Sequence, residues 1–160
     1  LFSFEHYGIE RDMFTLAKGL GNGVPVGAMI AKEKLGSAFS YGSHGSTFGG
    51  NKLVMSAASS VLYIMLTDGF LLQALDNGNY LQAELKKALA GNSKVTEVRG
   101  LGYMIGIETT ENLVDLVEKA WDKGLVVLTA GTNVIRLLPP LTLTKEQIDQ
   151  GVAILKDVFA

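Results

Sequence analysis

The sequence predicts an α/β fold, and three features of the residue pattern support that prediction. Two short apolar segments, residues 13–17 and 26–31, flank a glycine-rich turn and indicate buried strands of an α/β sheet. Beyond residue 70, the periodicity gives the order helix, two strands, helix, two strands, helix. That order is typical of a small α+β domain with its helices on one face of a sheet.

The composition is that of a globular protein, and it narrows the kinds of partner. Of the 160 residues, 48% are apolar and 19% are charged, which argues against a disordered chain. The formal net charge of −2 gives no electrostatic reason to expect nucleic acid or an anionic membrane as a partner. There are no cysteines, so disulfides and thiolate metal sites are excluded, and we expect no metal centre. This composition is compatible with a cytoplasmic protein.

The segment after the two strands predicts a short helix, a loop and a longer helix. Residues 32–39 are expected to form the short helix, residues 41–51 an ordered loop rich in glycine and serine, and residues 52–66 the longer helix. No apolar stretch reaches the roughly 20 residues of a membrane span, and no signal peptide opens the sequence. Because position 1 is Leu rather than Met, we expect a fragment of a longer protein.

Two further helices follow from apolar residues at helical spacing. Residues 70–90 predict a helix, although Gly78 within it lowers helix stability by about 1 kcal/mol relative to Ala. Residues 111–123 carry apolar side chains at i, i+3, i+4, i+7 and i+8, which predicts an amphipathic helix. Gly124 is expected to end that helix.

The remaining elements are four strands and a final helix. The strands are predicted at residues 95–98, 103–108, 125–128 and 133–138. Thr144 and Gln147 form a capping-box signature for the final helix. Its apolar side is expected to carry Ile148, Val152, Leu155 and Phe159.

Lys18 is the first candidate for chemistry. It follows a predicted strand and enters the glycine-rich turn at residues 19–23, where open α/β sheets place their ligands. A lysine that forms a Schiff base needs a partly desolvated amine and close, unobstructed backbone. The alternative is a solvated lysine beside a tight turn, and spacing alone leaves both open. The glycines do not form a dinucleotide fingerprint, because the next element is a predicted strand rather than a helix.

The loop at residues 42–51 is a candidate anion site. Its hydroxyls, including Ser46 and Thr47, precede a predicted helix, whose amino-terminal N–H groups favour a phosphate. The alternative is an ordinary loop that only caps the helix. His44 lies in the same loop, but a lone loop histidine is usually structural.

Arg136 is the third candidate, because it interrupts an otherwise apolar strand. Its charge cannot be removed by deprotonation, so it needs a partner, and its planar fork suits a substrate carboxylate. An internal acidic partner and an orientation toward water are the open alternatives. Arg99 is expected to shape the turn at residues 99–102 rather than to bind substrate.

Taken together, these segments resemble the class III aminotransferases, which are pyridoxal 5'-phosphate (PLP) enzymes of fold type I. Residues 15–28 (TLAKGLGNGVPVGA) resemble the cofactor-lysine segment, and residues 42–51 (GSHGSTFGGN) the phosphate-contacting loop. Residues 134–140 (VIRLLPP) resemble the segment of the carboxylate-binding arginine, and residues 98–102 (VRGLG) have a counterpart in the small domain. Within the family, the likeness is greatest to the enzymes that act on N-acetylornithine and ornithine.

The resemblance implies a role for each candidate. Lys18 would bind pyridoxal 5'-phosphate covalently and then move a proton between substrate and cofactor. Ser46 and Thr47 would contact the phosphate of the neighbouring subunit's cofactor, which implies a homodimer with its site at the interface. Arg136 would bind the substrate α-carboxylate. The amino group would pass from N-acetylornithine, or ornithine, to 2-oxoglutarate, a step of arginine biosynthesis.

The resemblance also implies a division of the chain. Residues 1–51 would complete the large cofactor-binding domain, residues 52–69 would form a connecting helix, and residues 70–160 the small α+β domain. Other cofactor contacts of the family would precede residue 1, so the 160-residue piece alone is expected to bind PLP weakly and to be inactive. The first strands are then expected to expose apolar edges. A non-catalytic fragment, or a class III enzyme for succinylornithine, a diamine or 4-aminobutyrate, remains the alternative.

Overall fold

All 160 residues are described by the computed structural model, and they divide into two units, Leu1–Leu71 and Leu72–Ala160. The first unit contains an antiparallel hairpin and one long helix. Its elements are strand β1 (Met13–Leu16), strand β2 (Ala28–Ala31), helix α1 (Lys52–Met65) and 3₁₀ helices at Ser3–Tyr7, Lys18–Leu20 and Glu33–Ala38. The predicted short helix at residues 32–39 is therefore a 3₁₀ helix, and residues 41–51 form the predicted loop.

The expectation that both amino-terminal strands are buried is wrong for this chain. Every residue of β2 is exposed, and β1 has only two partly buried residues, Phe14 and Leu16. The two strands pair only with each other, so neither has a second neighbour in a sheet. As expected for such a hairpin, apolar side chains remain exposed, among them Met13, Met29 and Ile30.

One side of the hairpin packs on an aromatic cluster. The ring centroids of Phe2, Phe4 and Phe14 lie 5.2–5.5 Å apart, which is the usual separation of interacting aromatic rings. The guanidinium of Arg11 lies 3.7 Å from the centre of the Phe4 ring, in a cation–π contact. These contacts hold β1 in place and thereby position the turn that begins at Lys18.

The second unit is an antiparallel sheet with helices, and its elements follow the predicted order. They are α2 (Phe70–Ala88, which starts at the end of the first unit), β3 (Val95–Leu101), β4 (Met104–Thr109), α3 (Leu113–Asp122), β5 (Leu128–Ala130), β6 (Val134–Leu137) and α4 (Lys145–Val158). The strand order is β3-β4-β6-β5. No single helix of the structure is long and apolar enough to cross a membrane, although α1 and α2 pass that test when counted together.

The core of the second unit lies between one face of its sheet and the three helices. On the sheet, alternate residues of β4 and β6 are buried, because successive side chains of a strand point to opposite faces. The largest core side chains are Leu85, Ile105, Ile107, Ile135, Ile148 and Phe159, each less than 2% exposed. Burial of one such side chain contributes about 1.5–3 kcal/mol. The predicted capping box of Thr144 and Gln147 is present, and the predicted apolar side of α4 is buried.

The segment at residues 99–102 was predicted as a connection, and most of it is strand instead. Strand β3 continues to Leu101, and the turn lies at Gly102 and Tyr103. Gly100 allows the backbones of β3 and β4 to approach closely at this end of the hairpin. Any other residue would place a Cβ atom 2.3 Å from the carbonyl oxygen of Met104. Strand β5 likewise begins at Leu128 rather than at residue 125.

Gly78 stands where α2 meets the β3–β4 turn, and its replacement is predicted to be destabilising. A Cβ atom at Gly78 would lie 2.8 Å from the carbonyl carbon of Gly102. We expect Gly78→Ala to lower the free energy of unfolding by about 1–3 kcal/mol, because the overpacked backbone outweighs the helix propensity gained. Urea denaturation followed by circular dichroism measures this.

Gly151 in α4 provides the matched control. A Cβ atom there would lie 3.9 Å from the Leu125 side chain, which is an ordinary contact. Gly151→Ala is therefore expected to raise the free energy of unfolding by about 0.5–1 kcal/mol. Equal gains from both substitutions would contradict the proposed close contact at Gly78.

Candidate functional site

Lys18 has an unusual backbone conformation. Its φ angle is +52°, in the left-handed region, and apart from the glycines only Asn22 shares a positive φ. A left-handed backbone at a residue other than glycine costs about 1–3 kcal/mol and is common at functional sites. The turn enforces it, because the amide of Gly21 donates to the Lys18 carbonyl oxygen and a Cβ atom on Gly21 would lie 2.1 Å from the carbonyl oxygen of Val24.

The Lys18 side chain is exposed and has no partner. No carboxylate lies within 4 Å of its amine, whereas Lys32 and Lys34, which follow β2, pair with Glu10 and Asp12. The predicted partial desolvation of Lys18 is thus absent in this chain, because Lys18, its neighbour Ala17 and every residue of β2 are exposed. The amine is unengaged and accessible to an aldehyde, but in this chain it lacks the partial desolvation that favours a Schiff-base lysine.

The loop at residues 42–51 leads into α1 and borders a cavity of about 940 Å³. Ser46 lines this cavity, whereas Thr47 is exposed and does not. The hydroxyl of Ser46 accepts a hydrogen bond from the amide of Gly49 at 2.9 Å. The helix is capped by Asn51, whose side chain accepts from the amide of Val54 at 3.2 Å. Neither Ser46 nor Thr47 therefore caps α1.

Asn51 is a functional cap that the sequence reasoning did not single out. Its signal was available, because an asparagine immediately before a helical pattern is a preferred amino-terminal cap. The first amides of a helix have no intrahelical partner, and the Asn51 side chain takes that of Val54. The remaining first-turn amides of α1 are free to bind an anion.

Arg136 lies on β6, opposite Gly106 of β4 and Leu128 of β5. It is on the sheet face opposite to its buried neighbours Ile135 and Leu137. No carboxylate of these 160 residues lies within 4 Å of the guanidinium, so none of them is the internal acidic partner that was the alternative. Its Nε atom is buried without a hydrogen-bond partner. Such a group costs about 1–3 kcal/mol until a ligand or water satisfies it.

Arg99 has a role different from the one predicted. It lies within β3, so it does not shape the turn, and its Nη1 atom pairs with Glu97 at 2.6 Å and with Glu108 at 2.5 Å. The hydrogen bonds to these carboxylates, first of all to Glu108, raise the pKa of Arg99. The two arginines of the sheet therefore differ, since Arg99 is paired with two carboxylates and Arg136 with none.

The structure distributes the predicted site residues over its two units. Lys18, Ser46 and Thr47 lie in the first unit, and Arg136 lies in the second. Within the first unit, Lys18 does not line the cavity that Ser46 borders. Taken one by one, the amine of Lys18 suits an aldehyde, the loop that carries Ser46 and Thr47 suits a phosphate, and the guanidinium of Arg136 suits a carboxylate. No group of three or more acidic or histidine side chains is placed to hold a metal ion.

The chain belongs to the class III aminotransferase family, since residues 1–159 match the sequence pattern that defines that family. The fold supports the same assignment. The ornithine aminotransferase of Plasmodium yoelii superposes with a TM-score of 0.90 at 31% sequence identity, over 98% of this chain and 42% of that one. The ornithine aminotransferase of Toxoplasma gondii, solved with partially occupied PLP at its active site, gives 0.90 at 27% identity, over 98% and 38%.

Among curated relatives, the acetylornithine aminotransferase of Streptococcus mutans is 68% identical over 159 residues. The match covers 99% of this chain and 42% of that relative. The chain therefore spans less than half the length of the enzymes that it resembles.

Proposed function

We propose that the chain forms part of the active site of a PLP-dependent aminotransferase that transfers the amino group of N-acetylornithine to 2-oxoglutarate. The observation that carries this proposal is Lys18, an unpaired lysine with a left-handed backbone at the end of β1. Strain at such a position persists only where the surrounding structure enforces it, which favours a functional role. The 68% identity to an acetylornithine aminotransferase supports the choice of reaction.

Each candidate residue has a defined task in this proposal. Lys18 would hold the cofactor covalently through its Nζ atom. Once the substrate's free amine has displaced it, the lysine amine would take the proton from the carbon that bears the transferred amino group, which is Cδ in N-acetylornithine. PLP supplies the electron sink for that proton transfer. Arg136 binds the substrate α-carboxylate through its planar fork, and its buried Nε then gains a partner.

The phosphate site is proposed to be shared between two copies of the chain. Ser46 and Thr47, with the free amides at the start of α1, bind the phosphate of the neighbouring subunit's cofactor. That Ser46 lines a cavity from which Lys18 is absent supports this arrangement. The proposed enzyme is then a homodimer with its sites at the interface, and it acts in the cytoplasm in arginine biosynthesis.

Ornithine is the second candidate donor. The solved structures that superpose on this chain include the ornithine aminotransferases of Plasmodium yoelii and Toxoplasma gondii, which supports ornithine as a candidate. Both donors carry the α-carboxylate that Arg136 is proposed to bind. They differ in the substituent on the α-amino group, which is acetylated in one and charged in the other.

Glutamate formation by the protein, expressed at the full length that its gene encodes and supplied with PLP, tests the proposal. We expect transfer from N-acetylornithine to 2-oxoglutarate with kcat/KM at least about 10⁴ M⁻¹ s⁻¹, within the usual range of enzymes. Parallel assays with ornithine, succinylornithine and 4-aminobutyrate rank the donors. Absence of transfer from all four donors would overturn the proposal, and a preference for ornithine would correct the donor.

A further inference from the structure

One face of the second unit's sheet carries four charged side chains in a defined register. We call it the open face, and define it as the face opposite to Ile105, Ile107, Ile135 and Leu137. Its charged residues are Glu97 and Arg99 on β3, Glu108 on β4 and Arg136 on β6. Glu97 lies opposite Glu108, and both Arg99 and Arg136 lie opposite Gly106.

Arg99 pairs with both carboxylates of this face. Directly opposite side chains on neighbouring strands lie about 4.5–5.5 Å apart, so like charges there repel. The Nη1 atom of Arg99 binds Glu97 and Glu108 at 2.6 and 2.5 Å. One guanidinium thus holds both carboxylates on the β3 side of the sheet.

Without that contact, Glu108 would have another cation within reach. Glu108 is opposite Val134, which places Arg136 at the diagonal position of the neighbouring strand. Diagonal neighbours lie about 7–8 Å apart, a distance that long side chains span. Gly106 has no side chain between them. Among the open-face residues of the four strands, Arg136 is the only cation besides Arg99.

We propose that Arg99 is a positioning residue that keeps Glu108 away from Arg136, so that Arg136 remains available to a substrate carboxylate. This inference rests on the proposed function in one respect, which is that the carboxylate bound by Arg136 belongs to a substrate. The structure supports it by contrast, because Glu108 is bound on the far side of Gly106 and the Arg136 Nε has no partner. Arg99 then acts on substrate affinity through Glu108, without contacting substrate.

Steady-state kinetics of four variants of the full-length protein test the proposal. Arg99→Gln is expected to raise KM for the amino donor about fivefold with kcat changed less than about twofold, since an exposed ion pair competes by that factor. Arg99→Gln combined with Glu108→Gln is expected to restore KM, because the competing carboxylate is gone. Glu108→Gln alone should leave KM at or below that of the wild type.

Glu97→Gln is the matched control. It removes the other carboxylate that Arg99 binds but leaves the Arg99–Glu108 contact, so KM is expected to stay unchanged. An unchanged KM in Arg99→Gln, or a raised KM that persists in the double variant, would show that Arg99 is only structural.

A stability cycle tests the same inference without catalysis. The coupling between Glu108→Gln and Arg136→Leu in urea denaturation is expected to be absent in the wild-type background and present in the Arg99→Gln background. Equal coupling in both backgrounds would overturn the inference. A wild-type protein without transaminase activity would overturn the proposed function alone, because this cycle still reports whether Arg99 separates the two side chains.

Discussion

Replacement of Lys18 by alanine is expected to lower kcat for transamination about 10³-fold or more. The variant loses both the amine that holds the cofactor and the base that moves the proton at the carbon bearing the transferred amino group. Positioned general bases alone contribute about 10²–10⁴-fold. The measurement is glutamate formation at saturating substrates, together with the visible absorption of bound PLP, which should shift toward that of the free aldehyde.

Three further variants separate chemistry from charge and from folding. Lys18→Arg keeps the positive charge but cannot bond to an aldehyde under these conditions, so it is expected to be as inactive as the alanine variant. Lys18→Gly relieves the left-handed backbone and is expected to fold at least as stably while remaining inactive. Lys34→Ala, which removes only an exposed ion pair with Asp12, should keep full activity. Substantial turnover by Lys18→Arg would exclude Lys18 as the cofactor lysine.

Replacement of Arg136 by leucine is expected to lower kcat/KM for the amino donor about 10²-fold. Each charge-assisted hydrogen bond to a carboxylate contributes about 1.5–3 kcal/mol, and a bidentate contact loses two of them. Because Arg136 binds a group that does not react, the larger part of the effect should appear in KM. The measurement is a donor titration at fixed 2-oxoglutarate.

The same variant should separate binding from stability. Leucine suits the apolar strand β6 and removes the buried Nε atom that has no partner, so the free energy of unfolding is expected to be unchanged or higher. Arg11→Lys, at a guanidinium that stacks on Phe4 within the first unit, is the control and should leave kcat/KM unchanged. A fall in stability equal to the fall in activity would refute a binding role for Arg136.

The second unit could be predicted closely from the sequence, and the first unit only in part. The order of helices and strands from Phe70 onward follows from apolar spacing, which reports the face of each element that meets the core. The capping box of Thr144 and Gln147 is a local pattern and is present as predicted. The hairpin of β1 and β2 was predicted as buried, because its apolar residues suit a covered sheet. Its exposure depends on which other strands are present, and the pattern of its own residues does not report that.

The candidate site shows the same division. The residue types and spacing singled out Lys18, the Ser46–Thr47 loop and Arg136, but their roles remain predictions. Whether Arg99 or Arg136 is paired with a carboxylate could not be predicted from the sequence. The residues next to Arg99 in the chain do not show whether it lies in a turn or in a strand bound to Glu108. The contact with Glu108 depends on the register between β3 and β4.

The sequence by itself determined the family resemblance, the order of elements in the second unit and the capping box of its final helix. These depend on residues within a few positions of one another, whose spacing and hydrogen bonding are set locally. Only the tertiary structure decided that Gly78 must be glycine, that Arg99 is paired and that Arg136 is not. Each of these depends on atoms brought together from distant parts of the chain, where packing distances and strand register govern which groups meet.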